Sequence, residues 1–595
     1  MRLIHQMDFA VWLSLCSIGF IAVLPLLLPY HAPPLASFYS EWLALALGVT
    51  GFLVFLTPKF WSDLRAPKLA LYLLAFTVVI ATQSLYIARP YLAQSLTPGL
   101  YLVWAFLLMV LANWLRTTLG TERVAVTFAW FIFVGALLQA LAGLAQYLGV
   151  VGWLAAIITF KLDKAVYGNI AQANHFATHL TLGAIALTYL YSKKKVSVPT
   201  TFILLAFFAY IVTLSGSRSV LVYATALCAL SLVSFYKQRD NSNFRLSSGT
   251  GYFLAALIGS QWIVPWLNPW LAQQLTDISL NTDPFSYSSA LERVSSAPMG
   301  MTLRISEWQK AWLIFTHAPI LGVGIGNYGS FSFLYQSLPE FSAVTKSALF
   351  GHSHNIFAQI LAETGIAGFA ILVAMLIGWI KQFKEHWLAP DAWYIAATLL
   401  VLFIHSNMEY PLWYSYFLGI AAFLLALGDT RTISVKFTPR LGQAATLVVL
   451  LLASSILAST LSGYQKISDL SDPVIAPQER INLLLTYGHN PILTPYTDLI
   501  LLAMLPTTKD GIEEKLAIST RAFRRNPDFY KAYKQTMLLA LNGQQEDART
   551  LLIQSARAYP DKLAPYIKSL KSLPDQEIKP LIAEAERIQA AAPRL

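Results

Sequence analysis

Apolar runs of roughly 20 residues, the length of helix that crosses a bilayer, recur from the first residues of this chain to about residue 460. Such runs make this a polytopic membrane protein. Counted by length they predict about thirteen spans. These lie near residues 9–30, 41–57, 69–88, 99–115, 124–148, 175–191, 200–214, 220–236, 251–270, 365–380, 393–407, 411–427 and 444–461. Composition agrees: 56% of the 595 residues are apolar and 12% are charged, where a soluble chain carries about a quarter charged. The run at 9–30 is longer than a signal-peptide core and no Ala-x-Ala pattern follows it, so it reads as a retained first span. Cys16 and Cys228 lie in apolar runs and offer neither a disulfide framework nor a metal cluster.

The net charge of +11 is not the footprint of a nucleic-acid partner, because many of the basic residues sit in short loops between apolar runs. With the N-terminus inside, the loops at 59–68, 116–123, 193–195, 237–245, 381–384 and 431–440 become cytoplasmic. Each holds at least two Lys or Arg, as the positive-inside rule requires. Lys161 and Lys164 are the main exception outside. The long loop at 271–354, with Arg293 and Arg304, and the polar C-terminal stretch then face outward.

This topology gathers the unusual polar residues at one membrane level. They are Glu41, the segment YGNIAQANH with Asn169, Gln172, Asn174 and His175, Arg218 in SGSRS, Arg304, and His405 and Glu409 in HSNMEYPLWY. The stretch GHSHNIFAQILAETGIAG adds His352, His354, Asn355 and Glu363 at the start of a span. Ionisable groups are costly there, so their gathering predicts a site at the outer leaflet boundary. Structural readings stand beside several pieces. YGNIAQANH can be a turn that caps the sixth span. Arg218 equally reads as a snorkelling arginine at a span end. EYPLWY suits an aromatic belt with a helix-starting proline. GVGIGNYG, at 322–329, lacks the strand, helix and downstream acid of a dinucleotide fingerprint. It reads as a tight turn after a short helix carrying Arg304-x-x-Glu307-Trp308.

Together Arg304-x-x-Glu307-Trp308, His317-Ala318-Pro319-Ile320-Leu321-Gly322-Val323-Gly324, His354-Asn355 and Glu363-x-Gly365 resemble the O-antigen ligase and polymerase superfamily. Tyr167-Gly168-Asn169, Gln172, Asn174-His175, His405-Ser406, Glu409 to Tyr414, and Phe38-Tyr39-x-Glu41-Trp42 resemble the bacterial protein O-oligosaccharyltransferases, the pilin glycosylation ligases. The resemblance covers about residues 1–460. It implies a membrane glycosyltransferase of the GT-C class in the bacterial inner membrane. Such an enzyme takes an oligosaccharide from undecaprenyl diphosphate at the periplasmic face and passes it to a hydroxyl of a pilin or other periplasmic protein. Within that chemistry a neutral histidine suits the general base. His354, beside Asn355, is the first candidate and His352 the second. Arginine's fork suits phosphate oxygens, which points to Arg218 and Arg304. With those cations a metal is dispensable; no Asp-x-Asp or outer carboxylate cluster is present to hold one, and no cofactor is expected.

The expected organisation is all-α: a bundle at 1–270, an outer loop at 271–354, further spans with the catalytic motif at 355–461, and a periplasmic helical region at 462–595. In the last, Pro527 and Pro560 lie close to the period of about 34 residues of a tetratricopeptide repeat. An O-antigen polymerase or lipid A-core ligase would share the chemistry and is the alternative within the enzymes. A transporter of lipid-linked glycan is the alternative outside them. It should place polar groups at span midpoints and repeat its halves, and this sequence does neither.

Overall fold

The computed structural model describes residues 8–162, 164–274, 298–341, 349–383, 389–470 and 475–591; Arg293 lies outside them. The long helices, in chain order, begin with α1 (Phe9–Ile21), α2 (Phe38–Gly51), α3 (Ala70–Tyr86), α4 (Ala93–Leu119), α5 (Thr121–Leu148) and α6 (Ala173–Ser192). Next come α7 (Val198–Leu214), α8 (Ser219–Lys237), α9 (Asn241–Gln274), α10 (Pro298–His317), α11 (Tyr328–Gln336) and α12 (Ile356–Phe383). Then follow α13 (Pro390–Ser406), α14 (Ser415–Leu427) and α15 (Pro439–Asp469). Each of the expected spans falls on a helix. Among the described residues, seven helical stretches are long and apolar enough to cross a membrane, and four shorter apolar helices accompany them. The chain divides into two compact units.

The first unit comprises Met1–Ala75, Tyr101–Pro298 and Leu372–Leu457. Small residues let its helices close in lipid, where packing rather than water expulsion holds helices together. At Gly183 of α6 a Cβ would fall 2.3 Å from the Cβ of Ala136 on α5. The only strands among the described residues, β1 (Arg65–Pro67) and β2 (Thr432–Ser434), pair antiparallel. Buried Asp429 fixes their entry by accepting from the backbone N–H of Leu69 (3.0 Å) and Arg431 (2.9 Å). Lys193 meets Asp391 at 2.6 Å and Glu122 at 3.2 Å. Arg245 donates to the Tyr191 carbonyl at 3.2 Å. Loops that share a basic signature in the sequence therefore meet one another.

The second unit comprises Phe76–Leu100, Met299–Ile371 and Ala458–Leu595. Its tail is helical: α16 (Pro477–Tyr487), α17 (Thr494–Met504), α18 (Ile512–Arg525), α19 (Phe529–Leu541), α20 (Gln545–Ala558), α21 (Leu563–Lys571) and α22 (Lys579–Ala591). Tyr533, Met537, Leu538 and Leu541, which the spacing places on one face of α19, are all buried. Phe333 of α11 enters the tail's core, edge-on to Phe523 at 5.4 Å. Arg557 donates to the Ser337 carbonyl at 2.9 Å. The tail and the segment before α12 thus share a core. The helix bearing Arg304, Glu307 and Trp308 is longer than the sequence suggested, with 20 residues.

Candidate functional site

In the first unit the YGN turn is held from below by two glutamines. Gln139 and Gln146 lie seven residues apart on one face of α5. Gln146 Oε1 accepts from the backbone N–H of Gly168 (2.8 Å) and Tyr167 (3.2 Å). Gln139 Oε1 accepts from Asn169 N–H at 2.9 Å. Asn169 is buried and spends its amide on backbone. Its Nδ2 donates to the Leu27 and Ile157 carbonyls (2.7 and 2.8 Å), and its Oδ1 accepts from Thr159 N–H (3.0 Å). Gln172 caps α6 by accepting from His175 N–H. The residues that follow converge on Glu409. Gln172 Nε2 donates to its Oε2 at 3.0 Å, and Asn174 donates to its Oε1. His405 Nε2 stands 3.3 Å and His175 Nε2 3.9 Å from Oε2. Glu41, in the first turn of α2, accepts from Tyr101 Oη (2.6 Å), Ser37 Oγ (2.9 Å) and Ser415 N–H (3.3 Å). Arg218 is exposed and occupies the N-cap position of α8.

In the second unit the decisive feature is a break in α12. Gly365 has φ 60° and ψ −161°, a conformation essentially reserved for glycine. The break frees backbone groups of α12, and the glycine-rich loop takes them up. Val323 N–H donates to the Ala362 carbonyl (3.2 Å) and Gly324 N–H to the Glu363 carbonyl (3.0 Å). In return Ile366 and Ala367 N–H donate to Pro319 and Ile320 (2.9 and 3.2 Å). Gly322, Gly324 and Gly326 all have positive φ, as a tight turn requires. Glu363 is buried. Its Oε1 accepts from Gly326 N–H (2.9 Å) and Tyr328 N–H (3.1 Å). Gln83 Nε2 reaches the carbonyls of Leu321 (2.6 Å) and Glu363 (2.7 Å).

Upstream of that break lies the histidine pair. Asn355 Oδ1 accepts from Ala358 N–H at 3.0 Å, so Asn355 caps α12 and the histidines precede the helix. Gln359 reaches back to Ser353 N–H at 2.7 Å. His354 is held at φ 55°, an uncommon value for a residue with a Cβ. Two residues apart on a helix, His352 and His354 would face different ways. In the loop their rings instead meet edge to face, with centroids 4.2 Å apart. Phe350 closes on His354 at 4.3 Å. Both histidines are half-buried, as is Arg304 on α10. Glu307, one turn from Arg304, is occupied otherwise. It accepts from Lys310 Nζ (2.8 Å), Tyr328 Oη (2.8 Å) and Ser332 Oγ (3.0 Å). Burial lowers the pKa of Lys310, and the Glu307 carboxylate opposes that shift.

The structure thus brings Gln172, Asn174, His175, His405 and Glu409 together in the first unit. In the second it joins His352 to His354 and Asn355 to their loop. Asn169, Glu363 and Glu307 serve backbone and neighbouring side chains. Gln139, Gln146, Gln83 and Arg89 were missed by the sequence reading. The two glutamines of α5 carry a signal: amides at i and i+7 in an apolar run share a face. Arg89, at the end of α3, donates to Ser84 Oγ at 3.0 Å and faces Glu363 electrostatically.

Family comparisons match the same stretches. Residues 202–373 match the O-antigen ligase family, residues 166–191 the protein glycosylation ligase family, and residues 393–569 a family described as virulence factor membrane-bound polymerase, C-terminal. In these stretches the chain is similar to O-antigen ligases and protein glycosylation ligases, which are glycosyltransferases. It is 25% identical over 415 residues to the general O-oligosaccharyltransferase of Acinetobacter baylyi, covering 68% of this chain and 67% of that protein. The ComP-specific O-oligosaccharyltransferase of the same organism is 23% identical over 409 residues, 67% of this chain and 68% of the relative. The O-antigen ligase match contains Arg218, Arg304, His352, His354 and Glu363; the glycosylation ligase match contains Asn169, Gln172, Asn174 and His175.

Proposed function

We propose that this chain is a protein O-oligosaccharyltransferase of the bacterial inner membrane. It moves a glycan from undecaprenyl diphosphate to Ser or Thr hydroxyls of a pilin or another periplasmic protein, at a site open to the periplasm. The observation that carries the reading is His354. A residue held in the left-handed region costs about 1–3 kcal/mol. Here the Asn355 cap and the Gln359 bond to Ser353 maintain the loop around it. Strain of this kind clusters at functional sites. In the proposed chemistry a neutral His354 accepts the acceptor's hydroxyl proton as that oxygen attacks the anomeric carbon, and the diphosphate leaves. General-base assistance is typically worth about 10²–10⁴-fold. Arg304 and Arg218 supply the cations for the diphosphate, so that step needs no metal. His352, in ring contact with His354, orients the base. About thirteen spans place the basic loops in the cytoplasm and the tetratricopeptide-like tail in the periplasm.

The matches to the O-antigen ligase and membrane-bound polymerase families favour a second reading, in which the acceptor is lipid A-core or a growing polymer. Cells supplied with a lipid-linked donor and each acceptor class separate the two by where the glycan appears. The mechanism is tested with single variants at matched protein levels. His354→Ala should insert normally and transfer little or no glycan, and His352→Ala should be milder. Robust transfer by His354→Ala with loss in His352→Ala would move the base to His352. Robust transfer by both would remove histidine from the mechanism.

A further inference from the structure

His175, His405 and Glu409 each offer one ligand atom, and those three atoms lie within 4.8 Å of one another. The histidines come from α6 and α13, and the carboxylate from the turn after α13. Both imidazoles are buried, and Glu409 keeps 17% of its side chain exposed. A hydrogen bond accounts for His405 Nε2 at 3.3 Å from Glu409 Oε2. It does not account for His175, whose Nε2 stands 3.9 Å from the same oxygen, beyond hydrogen-bond reach.

Zinc takes imidazole nitrogen and carboxylate oxygen at about 2.0–2.2 Å, so neighbouring ligand atoms of a tetrahedral site stand about 3.3 Å apart. Of the three separations, that of His405 and Glu409 has this value at 3.3 Å, while those of His175 to Glu409 (3.9 Å) and to His405 (within 4.8 Å) require the His175 ring to move inward. The outer contacts fit as well. A metal-bound histidine usually engages its second ring nitrogen with a fixed partner. His405 Nδ1 meets Thr178 Oγ1 at 2.9 Å. The Glu409 oxygens are oriented by the amides of Gln172 and Asn174.

We propose that His175 Nε2, His405 Nε2 and Glu409 Oε2 form a site for a divalent ion of the zinc class, its fourth position open on the partly exposed side of Glu409. The ion ties α6 to the end of α13. It stands apart from the diphosphate chemistry assigned to the arginines, and failure of either proposal leaves the other in place.

The test uses the full-length protein in detergent, carrying a tag without histidines and purified without chelator. Elemental analysis should find about one zinc per chain. Stripping with a chelator and reloading with Co²⁺ should give the visible d–d bands of cobalt in a low-coordinate nitrogen and oxygen site. His405→Gln and Glu409→Gln should lose both signals. Thr178→Val keeps all three ligands and should weaken zinc binding about 10–100-fold. Absence of zinc together with absence of cobalt bands in the wild-type protein overturns the proposal, whether or not the variants fold. Undiminished zinc uptake by both His405→Gln and Glu409→Gln overturns it too.

Discussion

Replacing Gly365 by Ala tests the break in α12 directly. At φ 60° and ψ −161° a side chain costs about 1–3 kcal/mol. A Cβ there would also stand 2.5 Å from both the carbonyl carbon and the oxygen of Ile320, which are backbone atoms and cannot swing aside. Relief requires the loop to part from the helix, with loss of the Ile366 and Ala367 bonds to Pro319 and Ile320, each worth about 0.5–1.5 kcal/mol. Healing α12 into a continuous helix would give up the Val323 and Gly324 bonds as well. Either route costs at least about 2 kcal/mol, roughly thirtyfold in a local opening equilibrium. Amide hydrogen exchange at Val323 and Gly324 should speed up by that factor or more in detergent-solubilised protein, and glycan transfer should fall with it. Gly351→Ala is the control for exchange, since a Cβ there meets nothing within 4 Å. Wild-type protection in Gly365→Ala would refute the view that the break and the glycine-rich loop hold one another in place.

Three further outcomes are expected. Arg304→Lys should insert normally and lose most transfer, because a point charge does not reproduce a bidentate fork; near-normal transfer would return Arg304 to a structural role. A cysteine at exposed Ser569 should react with an impermeant thiol reagent in intact spheroplasts, and one at exposed Lys436 only after the inner membrane is permeabilised; the reverse pattern inverts the topology. Asn169→Ala removes the part-buried bonds to the Leu27 and Ile157 carbonyls, each worth about 0.5–1.5 kcal/mol. It should lower the thermal midpoint clearly, and an unchanged midpoint would show that the YGN turn is held elsewhere.

The helices were legible in the sequence because lipid imposes a length on every span, and each expected run falls on one. Charged residues near the basic loops also meet one another, as Lys193 does Glu122 and Asp391. The break at Gly365 was not legible. Glycine in an apolar run is as compatible with close helix packing as with a kink. What decides between them is the loop at 319–324, more than 40 residues upstream. Nor was the contact of His352 with His354, because the helix begins only after Asn355 and the pair sits on a loop that helical periodicity does not describe. The trio on Glu409 escaped because a search for outer carboxylate clusters does not weigh two histidines from separate helices.

The polar residues singled out in the sequence divide into two kinds that look alike there. Burying an amide or carboxylate costs energy unless its partners are present, so a polar residue at a span end signals only that partners exist. For Asn169 the partners are the Leu27 and Ile157 carbonyls and the Thr159 N–H. For Glu363 they include the backbone of Gly326 and Tyr328, and for Glu307 they are Lys310, Tyr328 and Ser332. These residues hold loops. His354 differs in kind, because its cost is conformational. Asn355 does the capping and Gln359 holds the neighbouring Ser353, so nothing about starting α12 requires a histidine in the left-handed region. A glycine or asparagine would hold that backbone at less cost. An imidazole held at that backbone position, in ring contact with His352, is the ground on which we propose His354, ahead of the other histidines of this chain, as the base.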